Sequence, residues 1–468
     1  MLFNLCCDSS GLWPFSTVGW PKDGTNGQID EFNRFYPASV LETGYDILFF
    51  WVARMVMMGL ELTDKAPFQT IYLHGLVRDG QGRKMSKTTG NVIDPIETVE
   101  QFGCDALRYS LVTGGTPGQD VALSMEKIEA NRNFVNKLWN MGKYINNCLS
   151  SVPEDDLEEY SKLDKNAWTA DNLELLPLPE RYIVSKCHKL VEVATESLLQ
   201  YNFGEAGRQI YEFLWDEFAG WYIEISKTRL RNDQAESIKD NTRNVILYVW
   251  STCLRILHPY MPFITETLYQ NIPHSSDTIM LSRWPKDKSM DQLYIDKVAI
   301  NQFESFQNVI KTIRNARAEY NVEAGKKVSA ILKISSSKED MRKHFENEVI
   351  SLSLLGRLET DKVQIVDDES SINAIESAGS CVHLIVEDGI DVYLPQSGLI
   401  DTEKEKKRLN KQKEKVEKDL TTLEKRLSSE SYIAKAPPAI VEDVKAKVQD
   451  MKEQIKSIEE SLSNLSQL

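Results

Sequence analysis

Two lysines three residues apart, Lys84 and Lys87, stand in the stretch HGLVRDGQGRKMSKTTGNVIDP at 74–95, with Met85 and Ser86 between them. Ammonium groups on flexible stems act as movable point charges on phosphate oxygens. Such a pair can hold a polyphosphate while its charge redistributes. Gly80, Gly82 and Gly90 surround it and predict a mobile loop. Asp94 is a good N-cap, Pro95 suits the first helical position, and Glu97 completes a capping-box-like pattern, so a helix opens directly after the loop. A bare K-x-x-K is more often a solvated basic loop, and that plain reading stands beside the functional one.

The elements that must position this loop are legible around it. Thr70 to Val77 reads as a strand of β-branched and aromatic residues interrupted by Gly75, and helices are expected after Asp94 and at 103–112. Strand, loop and helix in this order predict an α/β piece with parallel pairing over 1–125. Residues 126–325 are expected to be mostly helical, with apolar positions at 128, 134, 135, 138, 139 and 141, then at 183, 184, 187, 190, 191 and 194. The acidic stretch 151–180, with Pro153, Pro177 and Pro179, reads as a loop. Phe213, Leu214, Trp215, Phe218, Trp221, Tyr222 and Ile225 read as bundle core, with a base-stacking platform for one or two rings as the alternative. His258, between two helices, reads as a packed or capping residue.

Further on, VSAILKIS, VQIVDD, CVHLIVED and IDVYLP read as short strands around a helix near 338–356, a small α/β module over 326–398. Residues 399–468 carry heptad seams, Leu409, Val416, Leu420, Leu423 and Leu427, then Val444, Val448, Met451, Ile455, Ile458, Leu462 and Leu465. Pro437-Pro438 must break the helix, which predicts an antiparallel coiled-coil hairpin. Ten Lys/Arg against six Asp/Glu between 403 and 426 fit either an ordinary solvated face or contact with a nucleic-acid backbone.

At 468 residues the chain is expected to hold about three domains. Its net charge of −15 argues against a chain-wide polyanion-binding surface, though not against local basic patches. Seven scattered cysteines without a C-x-x-C argue against a zinc site and a disulfide framework, so no metal-ligating residue is assigned. The apolar run at 47–60 is interrupted by Arg54 and is too short to span a bilayer. No signal or transit peptide is read at the N-terminus, so cytoplasm or an organelle interior (chloroplast or mitochondrion) is expected.

Lys84-Met85-Ser86-Lys87-Thr88 resembles the KMSKS signature loop of class I aminoacyl-tRNA synthetases, with Thr88 in place of the final Ser and its hydroxyl kept. FYPASVLETGYDILFFWVARMVMMGL (35–60) and GQDVALSMEKIEANRNFVNKLWN (118–140) look like the valyl branch of that family, as do IRNARAEYNVEAGKK (313–327) and SYIAKAPPAIV (431–441). No H-x-G-H occurs, so the family's HIGH signature is absent, and so is its large editing insertion. The resemblance is therefore to the C-terminal half of the bacterial or organellar type. Cys7 and Asp8 stand where a tryptophan and a phenylalanine are expected.

That resemblance implies four parts: the C-terminal part of a doubly wound nucleotide-binding fold over 1–125, a helical anticodon-binding bundle over 126–325, the small α/β module, and a coiled-coil tRNA-binding arm over 399–468. It implies attachment of valine to its tRNA through valyl-adenylate, using ATP with Mg²⁺, by a monomer. Lys84 and Lys87 would meet the β- and γ-phosphates, with Lys87 the stronger candidate, and Met85 would pack the loop. His74, Gly75, Leu76 and Val77 would present backbone groups to adenine, with Ser86 also at the nucleotide; a glycine at a strand end is the plainer alternative for Gly75. Asp46 would meet the valine ammonium, and Ile47 and Trp51 would shape an apolar pocket, although a Trp in an apolar helix is more often core. Lys404, Lys407, Arg408, Lys411 and Lys415 would lie along tRNA. A tRNA-binding protein without synthetase activity, or a coiled-coil scaffold with a dead nucleotide fold, are the competing readings. On its own the chain is expected to bind tRNA and to make no valyl-adenylate.

Overall fold

The computed structural model describes residues 10–21, 29–86, 88–150, 152–153, 157, 168–286, 293–368, 370–399 and 402–427, with 448, 449, 451, 452 and 455. Cys6, Cys7, Asp8, Lys87, Pro437-Pro438 and most of the stretch expected to form a second C-terminal helix lie outside the described residues. The chain divides into two compact units, Met1–Ile300 and Asn301–Leu468. No helix among the described residues is long and apolar enough to cross a membrane.

In the first unit, strand β1 (Ala38–Gly44) pairs in parallel with β2 (Phe68–His74), and Gly44 stands opposite His74 at their C-terminal ends. A 3₁₀ turn (Tyr45–Ile47), a π-helical turn (Leu48–Val52) and helix α1 (Ala53–Thr63) make the crossover. The strand predicted over Thr70 to Val77 is cut in two. After His74 the chain leaves β2 and re-forms as β3 (Val77–Arg78), which pairs in parallel with β4 (Val121–Ala122). Gly75 sits at the break, and a side chain there would collide with the Gln119 carbonyl, 1.9 Å from the position of its Cβ. The arrival of 118–121 therefore decides where the strand ends.

Between β3 and β4 lie the lysine loop and helices α2 (Pro95–Phe102) and α3 (Cys104–Val112). Asp94 caps α2, accepting from the Ile96 and Glu97 N–H groups at 2.7 and 3.2 Å, with Pro95 in the first turn. Helix α4 (Met125–Leu149) follows, its first turn capped by Ser124. Asp105 of α3 accepts from the Phe263 and Ile264 N–H groups at the start of a later helix, and its burial raises its pKa against those hydrogen bonds.

The helical bundle comprises α5 (Leu178–Leu199), α6 (Phe203–Glu212), a π-helical stretch (Phe213–Tyr222), α7 (Ile223–Arg229), α8 (Glu236–Leu257) and α9 (Pro262–Tyr269). Ile183, Val184, Cys187, Leu190, Val191 and Ala194 are all buried, as their spacing predicts. The aromatic stripe is core except for Trp215, which is half-buried and stacked on Tyr211 at 5.5 Å. The wider π turn over this stripe, which bonds groups five positions apart rather than four, is not legible in the apolar spacing. His258 is a packed residue whose Nδ1 lies 2.7 Å from the Thr265 hydroxyl; burial lowers its pKa.

In the second unit, β5 (Val328–Ile334), β6 (Leu358–Val366), β7 (Cys381–Glu387) and β8 (Ile390–Pro395) form a sheet of order β6-β5-β8-β7, with β5 parallel to β6 and antiparallel to β8. The helix expected near 338–356 is two helices, Glu339–Asn347 and Val349–Gly356, separated at Glu348. Beyond the sheet a helix runs over Thr402–Leu427, and Lys452 Nζ lies 2.9 Å from a Glu424 oxygen.

Candidate functional site

The C-terminal ends of β1 and β2 bring charged side chains together. The Asp46 carboxylate folds back over Gly44, its Oδ1 only 2.6 Å from where a Cβ of Gly44 would stand, and the His74 ring lies 3.6 Å from the same point. The His74 Nε2 lies 3.2 Å from a Glu42 carboxylate oxygen, and its Nδ1 lies 2.8 Å from the Gly75 carbonyl. Asp46 itself is exposed, so its carboxylate is open to a cationic group arriving from solvent.

Asp120 ties the neighbouring strands. Its carboxylate accepts from the Leu76 N–H at 2.8 Å and from the Arg78 guanidinium, and the Tyr45 hydroxyl also reaches it. The Leu76 N–H foremost, then Arg78, holds the Asp120 pKa below the ordinary carboxylate range. One acid thus joins the turn after β1, the break after β2 and strand β3. Leu76 also gives its carbonyl to the Val121 N–H at 2.9 Å.

Asp79 does the same for the lysine loop. It accepts from the N–H groups of Gln81 and Arg83, from the Arg83 guanidinium and from the Asn91 amide, at 2.8–3.0 Å. Asn91 foremost, then the Arg83 N–H, lowers its pKa to about 2. Asn91 in turn donates to the Lys84 carbonyl at 3.2 Å and accepts from the Ser86 N–H at 3.0 Å. The backbone on either side of Met85 is therefore pinned, while the Lys84 side chain remains exposed. Met85 packs on the cluster of Ala106, Leu107, Leu123 and Ile128. Gly82 and Gly90, with φ of +77° and +69°, make the reversals at either end. The Thr88 hydroxyl lies 3.0 Å from that of Ser86.

A fixed stem thus presents Lys84 beyond parallel strand ends. Residues 6–124 match the family described as tRNA synthetases class I (I, L, M and V), residues 180–332 the anticodon-binding domain of tRNA ligase, and residues 401–466 the valyl tRNA synthetase tRNA binding arm. The chain belongs to the valyl branch of the class I aminoacyl-tRNA synthetases. The chloroplastic/mitochondrial valine–tRNA ligase 2 of Arabidopsis thaliana is 44% identical over 86% of this chain and 40% of its own length. The valine–tRNA ligase of Staphylococcus epidermidis is 40% identical over 86% of this chain and 42% of its own. The chain thus spans about two fifths of the length of these curated relatives. Among solved structures, a ternary complex of an Agrobacterium radiobacter LeuRS overlaps 70% of this chain and 34% of its own at 18% identity and a TM-score of 0.46.

Within this family member, the residues singled out from sequence fall into separate places. Asp46, His74 and Gly75 share the strand ends, and Lys84, Met85 and Ser86 share the pinned loop. Ile47 is exposed in the 3₁₀ turn. Trp51 faces elsewhere. It lines an apolar cavity of about 560 Å³ with Trp13, Phe35, Leu41, Met55 and Phe68, and neither Asp46 nor Ile47 is among the described residues lining it. Of the backbone groups expected to face adenine, the Leu76 N–H is already spent on Asp120, and the space beside Gly75 is filled by Gln119. Lys411 is exposed on the C-terminal helix; the side chains of Lys404, Lys407, Arg408 and Lys415 lie outside the described residues. Sequence reasoning missed Asp79, Asn91 and Asp120 as organising groups. For Asp79 and Asn91 a signal is present, because Asp79-Gly80 and Gly90-Asn91 are turn pairs at the two ends of the loop; Asp120 has none.

Proposed function

We propose that this chain supplies the signature-loop, anticodon-binding and tRNA-arm parts of a valine–tRNA ligase. The observation that carries this reading is the Asp79–Asn91 clasp, which fixes the backbone of the lysine loop while leaving Lys84 in solvent. A loop built this way has a constant anchor and mobile charges, which is what a reaction with migrating phosphate charge requires. In the reaction, a valine carboxylate oxygen bonds to the α-phosphorus of ATP, the bond to the bridging oxygen breaks, and pyrophosphate leaves. A ribose hydroxyl of the terminal tRNA adenosine then takes the valyl group and AMP departs. Little proton transfer is needed in the first step, so positioning and charge stabilisation dominate.

In this reading Lys84 and Lys87 meet the β- and γ-phosphates, Mg²⁺ arrives with ATP as part of the substrate, and Asp46 receives the valine ammonium. Ser86, Met85 and the 74–77 strand break border the nucleotide. Residues 1–125 are the catalytic part, 126–325 the anticodon-binding bundle, 326–398 a small α/β module and 399–468 a coiled-coil hairpin. Lys404, Lys407, Arg408, Lys411 and Lys415 of that hairpin contact the tRNA backbone. The working state is a monomer in the cytoplasm or an organelle of bacterial descent.

The test is valine-dependent ATP–pyrophosphate exchange and tRNA charging by the native protein, purified from its cell through a C-terminal tag. Lys87→Ala is expected to lower exchange about 100-fold with little change in the KM for valine. Exchange that is unaffected by both Lys84→Ala and Lys87→Ala overturns the loop assignment. Purified residues 1–468 are expected to bind tRNA at low salt without catalysing exchange. A native protein that binds tRNA but never charges it makes the chain a tRNA-binding protein instead.

A further inference from the structure

Asp46 and Lys84 stand at the two ends of one run of directed contacts. Tyr45, beside Asp46 in the 3₁₀ turn, donates its hydroxyl to the Asp120 carboxylate and accepts from the Arg78 guanidinium. Arg78 also donates to Asp120, which closes a triangle of three side chains. The backbone of Arg78 is bridged to that of Lys84, and the next residue, Asp79, opens the clasp of the lysine loop. Asp120 reaches a further point by accepting from the Leu76 N–H at the strand break. Tyr45 is 39% exposed, and the side chains of Arg78 and Asp120 are 32% and 23% exposed. Part-exposed charges contribute little to global stability, so what this triangle supplies is direction.

We propose that Tyr45, Arg78 and Asp120 form a positioning triad for adenylate formation, holding the Asp46 turn at a fixed offset from the stem of the lysine loop. The proposal rests on the ligase reading above, in which Asp46 receives the valine ammonium and the loop receives the phosphates. In that step a valine carboxylate oxygen bonds to the α-phosphorus while pyrophosphate leaves. One substrate is anchored at each end of the run, so the offset between the anchors sets the distance and angle of attack. A misplacement of about 1 Å can cost about 100-fold in rate. The β1–β2 ladder does not set this offset. Its last pair is Gly44 with His74, and both anchors lie beyond it. The triad spans that gap. Its members act through Asp46 and Lys84 and touch neither substrate. An ionised Asp120 is an acceptor at both oxygens, which suits a group addressed by Leu76, Arg78 and Tyr45 at once. An amide in its place would turn N–H groups towards Arg78 and Tyr45.

The experiment uses the native protein, purified from its cell through a C-terminal tag, and separates binding from chemistry. Valine and ATP binding are measured one at a time by calorimetry, and valyl-adenylate formation is followed in a single turnover by quenched flow. Asp120→Asn is expected to lower the single-turnover rate about 30-fold, with about one valine bound per chain and the Kd of either substrate changed less than about threefold. Tyr45→Phe is expected to lower the rate about fivefold with the same unchanged binding. The double variant is expected to be no slower than Asp120→Asn alone, because both changes break one connection, whereas Tyr45→Phe with Lys87→Ala should multiply the separate losses. Multiplied losses in the Tyr45 and Asp120 pair overturn the triad. Fewer valines bound per chain would make these residues structural, and a rise of about tenfold in either Kd would make them substrate contacts; either result overturns the positioning role. Unchanged rates in both single variants, while Lys84→Ala and Lys87→Ala slow the reaction, overturn the triad and leave the loop assignment standing. A native protein that makes no valyl-adenylate, or one whose rate survives all four single changes, overturns the loop reading and the proposal together.

Discussion

The loop-bearing segment 75–123 and the helical bundle 178–269 are held together by different balances of apolar packing and directed hydrogen bonds. In the bundle, rings such as Phe218 and Trp250 are fully buried and stacked at 6.1 Å, and apolar side chains at helical spacing fill the interior. In the loop segment a smaller apolar cluster under Met85 is joined by two acids and an amide: Asp120 gathers three strand ends, and Asp79 with Asn91 closes the stem of the lysine loop. Apolar packing is non-directional and tolerates many sequences that keep volume and spacing. Hydrogen-bonded carboxylates fix backbone atoms in particular directions, which suits a segment that must present charge at a defined place while leaving side chains free. The difference teaches that rigidity in this chain has two sources, and they should fail under different conditions.

The sharpest break in the comparison is expected in the bundle. Trp250→Ala should cost about 3–5 kcal/mol, read as a lower urea midpoint of helical unfolding, with amide protection at 79–91 nearly unchanged. Gly75→Ala should cost about 3 kcal/mol, because the added Cβ meets backbone rather than a side chain that could move. Its mark is lost hydrogen-exchange protection at 118–123, with the bundle unaffected. Asp120→Asn keeps the volume but removes the charge that Leu76 and Arg78 address; the Leu76 amide should exchange several-fold faster at unchanged bundle stability.

The smallest expected effect separates the regions by pH. The folded Asp79 carboxylate ionises at about 2, below its ordinary value. Its contribution is therefore complete above about pH 4 and is lost as the pH falls towards 2. Exchange at the Ser86 and Arg83 amides should rise over that window, once corrected for the intrinsic pH dependence of exchange, and Asp79→Asn should abolish the dependence. Equal acid loosening in the variant would place the stem's stability elsewhere.

Periodicity was enough for the core positions of the bundle, though not for the π turn over Phe213–Tyr222. The positions 183 to 194 read as core and are core, because a helix buries whatever recurs every three to four residues. Asp94-Pro95 likewise announced the start of α2, since a cap acts within three residues of itself. The lysine pair and the segments at 35–60 and 118–140 were sufficient to place the chain in its family. Tertiary structure decided the rest. The strand break at Gly75 depends on residues 118–121, more than forty positions away, whose backbone takes the space. Trp51 and Asp46, five residues apart, diverge because Asp46 sits in a 3₁₀ turn and Trp51 in the π turn that follows, and only Trp51 lines the apolar cavity. Asp120 became an organising group only when strands distant in sequence arrived around it, because a carboxylate's role is set by the donors that reach it. Local rules thus determined the elements and the family, while the meeting of distant segments determined which charges hold the site and which remain free to act.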